Sequence, residues 1–151
     1  MTYAWIKSPI GTLYTASAPE AGRTDEALYG MKVQILESAP ETGRTLIRTH
    51  YRYEGWIDSV CLQPENEQTK DWEAHADIRL EQSYADVLAE PRIQALPLIS
   101  LTKGARIRIR RAGPRWKCWT DAMDTSAEDF SPLMRLLVPS LNLTKRVSAG
   151  R

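Results

Sequence analysis

The sequence has little of what most enzymes use for chemistry. Its 151 residues include two cysteines and two histidines. Cys61 and Cys118 cannot form a disulfide framework and lack CxxC spacing. Together with His50 and His75 they show no metal-ligand spacing, so we reject a metal site and expect no cofactor. We interpret both cysteines as small buried apolar side chains, with a disulfide between them as the alternative.

A cysteine–histidine nucleophile also finds little support. Such a nucleophile needs a base held beside the thiol. His50 lies in a strand-like segment and His75 in a polar one. We therefore interpret both histidines as ordinary strand or surface residues.

The chain also lacks an excess of charge of one sign. It has 20 basic and 19 acidic residues, a net charge of +1, so no global field favours a nucleic acid or a membrane surface. No apolar run is long enough to span a membrane. No signal peptide is visible at the beginning of the sequence. An apolar fraction of 42% is ordinary for a globular protein and argues against overall disorder.

What the sequence does contain is alternation of apolar and polar residues, which predicts half-buried strands. Residues 31–37 alternate, and residues 46–51 follow a turn region. The clearest case is residues 105–110, where Ala105, Ile107 and Ile109 share one face and three arginines the other. A turn at 112–114 then leads into residues 116–119. These patterns predict an all-β protein.

One pattern is used twice. Gly30 precedes one alternating strand and Gly104 precedes the other, 74 residues later, and the offset is the same for Val33 and Ile107. Two sets of short strands with turn residues predict two small barrels. We place the first barrel at residues 1–63, a polar linker at 64–78, the second barrel with its tail at 79–143, and a frayed end at 144–151. In the tail, a helical turn and a docking strand are both open.

Several motifs in this order resemble a known domain. They are Leu13-Tyr14-Thr15-Ala16 before a Pro19 loop, then Ala27-Leu28-Tyr29-Gly30, Tyr53-Glu54-Gly55-Trp56-Ile57, and, in the second copy, residues 85–91. The series resembles the bacterial SH3 (SH3b) domain, in the tandem arrangement found before the catalytic domain of NlpC/P60 cell-wall peptidases. These are γ-D-glutamyl-L-diamino acid endopeptidases. The resemblance implies two SH3-like barrels and a bacterial protein.

Two departures from that family matter. The second copy lacks a clear closing Gly-Trp/Tyr-Val, so its last strand is either diverged or supplied by the tail around residues 136–138. The family's catalytic cysteine lies in an Asp-Cys-Ser motif with two later histidines, whereas here neither cysteine has that context and no histidine follows His75. We therefore predict that the chain is not an enzyme by itself. It would be the non-catalytic binding or targeting region of a cell-wall peptidase.

The resemblance also implies a binding site. A tyrosine just before the Gly-Trp of the first module helps to line the substrate pocket, and Tyr53 has that position. An acidic residue near Ala-Leu-Tyr-Gly binds the free amino end of the peptide; Glu26 is the nearest match, with Asp25 beside it. A carboxylate suits this role because it pairs with an ammonium group. Tyr51 and Trp56 complete the predicted ligand-binding set, and Tyr51 shares a side with Tyr53 if their segment is extended.

The implied partners are a peptidoglycan stem peptide or muropeptide with a free L-alanine end, and an NlpC/P60 catalytic domain in cis or in trans. Other interpretations stay open: a stand-alone SH3b adaptor for cell wall or protein, a fragment of a larger enzyme, and an enzyme of another type. Tyr53 packing on Trp56 beside a solvated Glu26 is the simpler structural alternative. The arginine strand is either a polyanion surface or a solvated face that prevents edge pairing. We expect no nucleic-acid partner, and action in the cytoplasm or at the cell wall are both open.

Overall fold

Short strands make up most of the structure, a computed structural model that describes residues 1–76, 78–88, 94, 96–112, 115–119, 134–136 and 143–145, with side chains up to residue 108. The chain divides into two compact units, Met1–Thr69 and Lys70–Arg151. Both are built from antiparallel strands, so the predicted all-β class is confirmed. The finer prediction of two closed SH3-type barrels stays a prediction.

Unit 1 is a seven-stranded antiparallel sheet. Its strands are β1 (Thr2–Ile6), β2 (Ile10–Tyr14), β3 (Arg23–Leu28), β4 (Lys32–Ala39), β5 (Arg44–Arg48), β6 (Glu54–Asp58) and β7 (Leu62–Pro64). They are arranged in the order β3-β2-β6-β5-β4-β1-β7, and a 3-10 turn (Ser59–Cys61) connects β6 to β7 along the chain. Strand β3 is at the edge and has β2 as its strand partner.

Unit 2 has the same strand order. Its strands are β8 (Ile78–Leu80), β9 (Tyr84–Leu88), β10 (Pro97–Thr102), β11 (Arg106–Ala112), β12 (Arg115–Trp119), β13 (Met134–Leu136) and β14 (Leu143–Lys145). The order β10-β9-β13-β12-β11-β8-β14 is that of unit 1 with each strand number raised by seven. Strands β9, β10 and β11 each begin 74 residues after β2, β3 and β4.

The repeated glycine marks the same turn in both units. Gly30 and Gly104 have φ angles of 77° and 91°, a region that side chains other than glycine rarely adopt. The Gly30 N–H donates to the Ile6 carbonyl at 2.8 Å, and the Gly104 N–H donates to the Leu80 carbonyl at 2.7 Å. Ile6 and Leu80 are again 74 residues apart. The glycine pattern in the sequence therefore reports a real backbone requirement.

The tail supplies two strands of unit 2. Strand β13 pairs with β12 and β9, and β14 pairs with β8. Of the two origins considered for the last strand, the structure thus shows the tail, at residues 134–136. Strand β14 includes Thr144 and Lys145, the first residues of the segment expected to fray. The other tail residues, and with them any helical turn, lie outside the described residues.

A nine-residue helix, α1 (Glu67–His75), occupies most of the stretch 64–78 that the sequence predicts as a linker. The Thr69 N–H donates to the Asn66 side-chain oxygen, and the Asn66 N–H donates to the Thr69 hydroxyl, both at 2.8 Å. This reciprocal cap satisfies two backbone donors at the helix N-terminus. On the unit 2 side of the division, Trp72 and Ala76 are fully buried. No helix in the described ranges has the length and apolarity to cross a membrane.

The core of unit 1 is a small apolar cluster formed by alternate residues of its strands: Ala4, Ile6, Leu13, Ala27, Val33, Ile47, Ile57 and Leu62. Half-buried Cys61 packs against it as a free cysteine, which agrees with its interpretation as a small apolar side chain. The Cys118 side chain is outside the described residues. In unit 2, Ala105 and Ile107 are buried, as their alternation predicts.

A buried arginine closes the opposite face of unit 1. Arg44 is 8% exposed, and its guanidinium stacks on the Tyr14 ring at 3.8 Å. Its Nε donates to Asp58 Oδ1 at 3.2 Å, and Nη1 donates to the carbonyl oxygens of Ala16 and Ala18. The Arg44 side chain therefore links β5, β6, the end of β2 and the β2–β3 loop.

Replacing Ile57 by alanine should lower the free energy of unfolding by about 2–5 kcal/mol, because the fully buried side chain leaves a cavity in a small core. The exposed Val60 is the matched control: Val60→Ala should change it by less than about 0.5 kcal/mol. Urea unfolding followed by tryptophan fluorescence measures both. Equal effects would contradict the core assignment.

Asn66→Ala should destabilise the protein by about 1 kcal/mol, because it removes the acceptor that caps α1. Asn66→Asp keeps an oxygen at the same place and should retain most of the stability. The measurement is helix content and unfolding free energy by circular dichroism. An alanine variant as stable as the aspartate variant would show that the cap contributes nothing.

Candidate functional site

The turn between β5 and β6 carries two of the predicted site residues. The Thr49 N–H donates to the Tyr53 carbonyl at 2.9 Å, and the Arg52 N–H donates to the Thr49 carbonyl at 3.0 Å. Arg52 has a φ of 66°, which is rare for a residue with a side chain. The segment is therefore turned rather than extended. The expectation that Tyr51 and Tyr53 share one side required an extended segment, and this segment is not extended.

Tyr51 reaches from this turn to the edge strand. Its hydroxyl donates to Asp25 Oδ2 at 2.7 Å, a short bond to a charged acceptor. The His50 ring meets the Tyr51 ring edge-on, with centroids 5.0 Å apart. Tyr51 keeps 47% of its surface exposed. A phenol and a carboxylate thus lie together at the surface of unit 1.

Tyr53 lies deeper. Its half-buried ring packs against the apolar core cluster. A Cβ atom on Gly55 would lie 3.6 Å from the Tyr53 ring and 3.1 Å from Leu13 Cβ. The contact with the Tyr53 ring would be an ordinary one, whereas the contact with Leu13 would be tight, so glycine at this position permits the close approach of β6 and β2.

The other two predicted residues lie on the opposite face of the sheet. Trp56 alternates with the buried Gly55 and Ile57, so it projects away from the core. Glu26 likewise alternates with the buried Ala27 and is exposed. The structure therefore brings Tyr51 together with Asp25. It places Tyr53 against the core, and Glu26 and Trp56 on the opposite face.

Asp25 is the carboxylate that we named second, beside Glu26, as a candidate for binding the amine. Its Oδ1 accepts the backbone N–H of Glu26 at 2.8 Å, while Oδ2 accepts the Tyr51 hydroxyl. The sequence contains a reason to prefer Asp25 over Glu26. Asp25 lies two residues before Ala27, and strand alternation places residues two apart on the same side, here the core side. Its partner in the β2–β3 register is the buried Leu13.

The phenol beside Asp25 stays neutral. Partial burial, followed by the hydrogen bond to Asp25 and the negative charge of Asp25, raises the pKa of Tyr51 from 10.0 to about 12, against a smaller opposing effect of the Thr49 side chain. Tyr51 therefore remains a hydrogen-bond donor throughout the physiological range.

Two arginines of the alternating segment 105–110 have described side chains, Arg106 and Arg108, and both contact the α1 region instead of forming a free basic surface. Arg106 donates to the carbonyl oxygens of Glu73 and Ala76, and Arg108 forms an ion pair with Asp71 at 2.6 Å. The hydrogen bond and charge of Arg108 hold the pKa of Asp71 below its usual value. Both arginines thus fasten α1 within unit 2.

The second histidine, His75, lies outside unit 1, on helix α1. Its Nδ1 lies 2.8 Å from the Asp71 carbonyl oxygen. Among the described residues, no group of three or more His, Cys, Asp or Glu side chains is arranged to hold a metal ion.

The chain is similar in sequence to a bacterial peptidase. Dipeptidyl-peptidase 6 of Lysinibacillus sphaericus is 38% identical to this chain over 102 residues, which are 68% of this chain and 37% of that protein. No family model matches the sequence.

Two solved structures share the fold over 95% of this chain, each at 11% identity. One is an NlpC/P60 family protein from Bacillus cereus, with a TM-score of 0.66. The other is an NlpC/P60 endopeptidase from Photobacterium damselae subsp. piscicida, with a TM-score of 0.59. The chain spans 56% and 33% of their lengths. Its fold is that of NlpC/P60 proteins, so the resemblance to this family is confirmed at the level of fold.

One prediction from the sequence is wrong. We predicted that the chain is not an enzyme by itself, whereas the curated relative is a dipeptidyl-peptidase and one structural neighbour is an endopeptidase. These relatives point to a peptidase. The prediction depended on a missing cysteine–histidine motif. This chain matches only 37% of the relative's length, so the absence of the motif here is no argument against peptidase activity.

The Tyr51 phenol should titrate with a pKa of about 12, and Asp25→Asn should bring it closer to 10.0 because the charged acceptor is lost. Since the folded-state pKa is the higher one, the neutral phenol's contribution to stability is complete below about pH 10 and is lost as the pH rises through 12. Tyrosinate absorbance during an alkaline titration measures this, with Tyr51→Phe to identify the signal. Glu26→Gln is the control and should leave the titration unchanged.

Proposed function

We propose that this protein is a cell-wall peptidase of the NlpC/P60 kind, in which unit 1 recognises the free amino end of a peptidoglycan stem peptide. The observation that carries the proposal is the surface pair of Tyr51 and Asp25. The two units would be SH3-type barrels, as the repeated strand order supports.

The chemistry of the pair suits an ammonium group. A carboxylate makes charge-assisted hydrogen bonds with an ammonium ion, and these are stronger than neutral ones. Because the Tyr51 phenol is neutral, it orients Asp25 without adding a second negative charge. The tyrosine rings offer apolar area to the small side chain beside the amine, such as that of L-alanine.

The similarity to a dipeptidyl-peptidase supports recognition of a chain end. An enzyme that releases dipeptides must hold the amino terminus at a fixed distance from the bond that it cuts. A carboxylate on a rigid strand can set that distance, since strand positions vary less than loop positions. Unit 1 would hold the amine and present the peptide to an NlpC/P60 catalytic domain.

Trp56 and Glu26 would serve a different contact. They lie on the opposite face of the sheet from Ala27 and Gly55, where Trp56 is half-buried and Glu26 is exposed. We propose this face as a secondary contact with the intact cell wall, separate from the site that binds the free amine of a muropeptide. The substrate would place the protein's action at the bacterial cell wall or on wall peptides in the cytoplasm.

The test is hydrolysis of a muropeptide with a free L-alanine end by the full-length protein, compared with the same peptide N-acetylated. Acetylation removes the charge, and Asp25→Asn removes its partner. Each should raise KM by about tenfold or more, since hydrogen bonds to charged groups contribute about 1.5–3 kcal/mol. Glu26→Gln is the matched control and should change KM by less than about threefold.

The outcomes separate the parts of the proposal. If the full-length protein hydrolyses neither peptide, the peptidase assignment is wrong. If it hydrolyses both equally well, the protein is a peptidase that does not recognise the amine. If Glu26→Gln raises KM while Asp25→Asn does not, the amine binds on the opposite face.

A further inference from the structure

A single buried threonine organises the turn that carries both tyrosines. Thr49 follows β5 directly and is 4% exposed. Its hydroxyl accepts the Tyr53 N–H at 3.0 Å and donates to the Tyr53 carbonyl at 3.2 Å. Its backbone N–H and carbonyl bond to Tyr53 and Arg52. Thr49 thus contacts the far end of the turn through both its backbone and its side chain.

The turn needs a restraint of this kind because one of its residues has a backbone conformation that is unfavourable for a residue with a side chain. Arg52 adopts a φ of 66°, a conformation that persists in residues with a side chain only when the surroundings impose it. The hydroxyl of Thr49 supplies part of that restraint, since it closes the turn across residues 49 and 53. Tyr51 projects from the middle of the closed turn toward Asp25.

We propose that the Thr49 hydroxyl is a positioning group for peptide recognition: it fixes the turn so that the Tyr51 phenol holds Asp25. This inference rests on the proposed function of the Tyr51–Asp25 pair. Thr49 itself is buried under the turn, so it acts through Tyr51. It is therefore a determinant of affinity for the free amino end.

Three threonine variants test the role of the hydroxyl. Thr49→Val has nearly the same shape without the hydroxyl, and Thr49→Ser keeps the hydroxyl. Thr45→Val is the matched control. Thr45 is buried like Thr49, but it lies at the other end of β5, where its hydroxyl is 2.8 Å from the Ser59 hydroxyl. Each is assayed for KM and kcat of the full-length protein on the free-amine muropeptide.

The expected result is a rise in KM of about tenfold for Thr49→Val, with kcat within about twofold, because a misplaced binding group weakens substrate binding. Thr49→Ser should restore KM to within about threefold of wild type, and Thr45→Val should leave it unchanged. A purely structural role would instead reduce the active fraction and therefore kcat, at constant KM. If Thr49→Val does not fold, Thr49→Ala removes the hydroxyl without the second methyl group and takes its place.

A double-mutant cycle tests whether Thr49 acts through Asp25. In an Asp25→Asn background, Thr49→Val should raise KM by less than about twofold, because the group that it positions is already absent. Additive effects would overturn the inference, as would a normal KM for Thr49→Val or an equal loss for the serine variant. A normal KM for Asp25→Asn alone would overturn the proposed function instead, so the two failures are distinguishable.

Discussion

Unit 1 depends most on the contacts of one buried group, the guanidinium of Arg44. A sheet of short strands around eight core residues buries little apolar surface, and such small cores are marginal by themselves. Arg44 compensates on the other face, where one side chain joins β5, β6, β2 and the β2–β3 loop. Its charge is tolerated in a buried position because Asp58, two carbonyl oxygens and an aromatic ring satisfy it.

This division of the sheet into two faces explains the placement of the site. The apolar face holds the core, and the site lies at its rim, where the β5–β6 turn meets the edge strand β3. Tyr53 belongs partly to the core and Tyr51 to the surface. A site at such a rim gains rigidity from the packed face while it keeps access to solvent.

Features with a local cause could be predicted from the sequence. Alternation gave the strands β4 and β11, and the paired glycines gave the turn before each of them, because both effects depend on neighbouring residues. The family resemblance was confirmed at the level of fold, whereas the prediction of a non-enzyme was wrong. That prediction relied on the absence of a motif, which says less than the presence of one.

Features with a non-local cause could not be predicted. Helix α1 lies in a stretch so polar that it reads as a linker, and its docking depends on Arg106 and Arg108, more than 30 residues away. Alternation puts Asp25 on the core side of β3, but its hydrogen bond with Tyr51, 26 residues along the chain, has no local signal. The turn at Arg52 also explains why strand alternation does not apply to Tyr51 and Tyr53.

The matching strand order of the two units also makes their difference informative. In unit 1, Asp25 faces Leu13 across the β2–β3 ladder; at the same register in unit 2, Ile99 faces Val87. An apolar side chain thus stands where the first unit has its carboxylate. The architecture is duplicated but the charge is not, so the proposed amine site would occur once in a chain with two similar units.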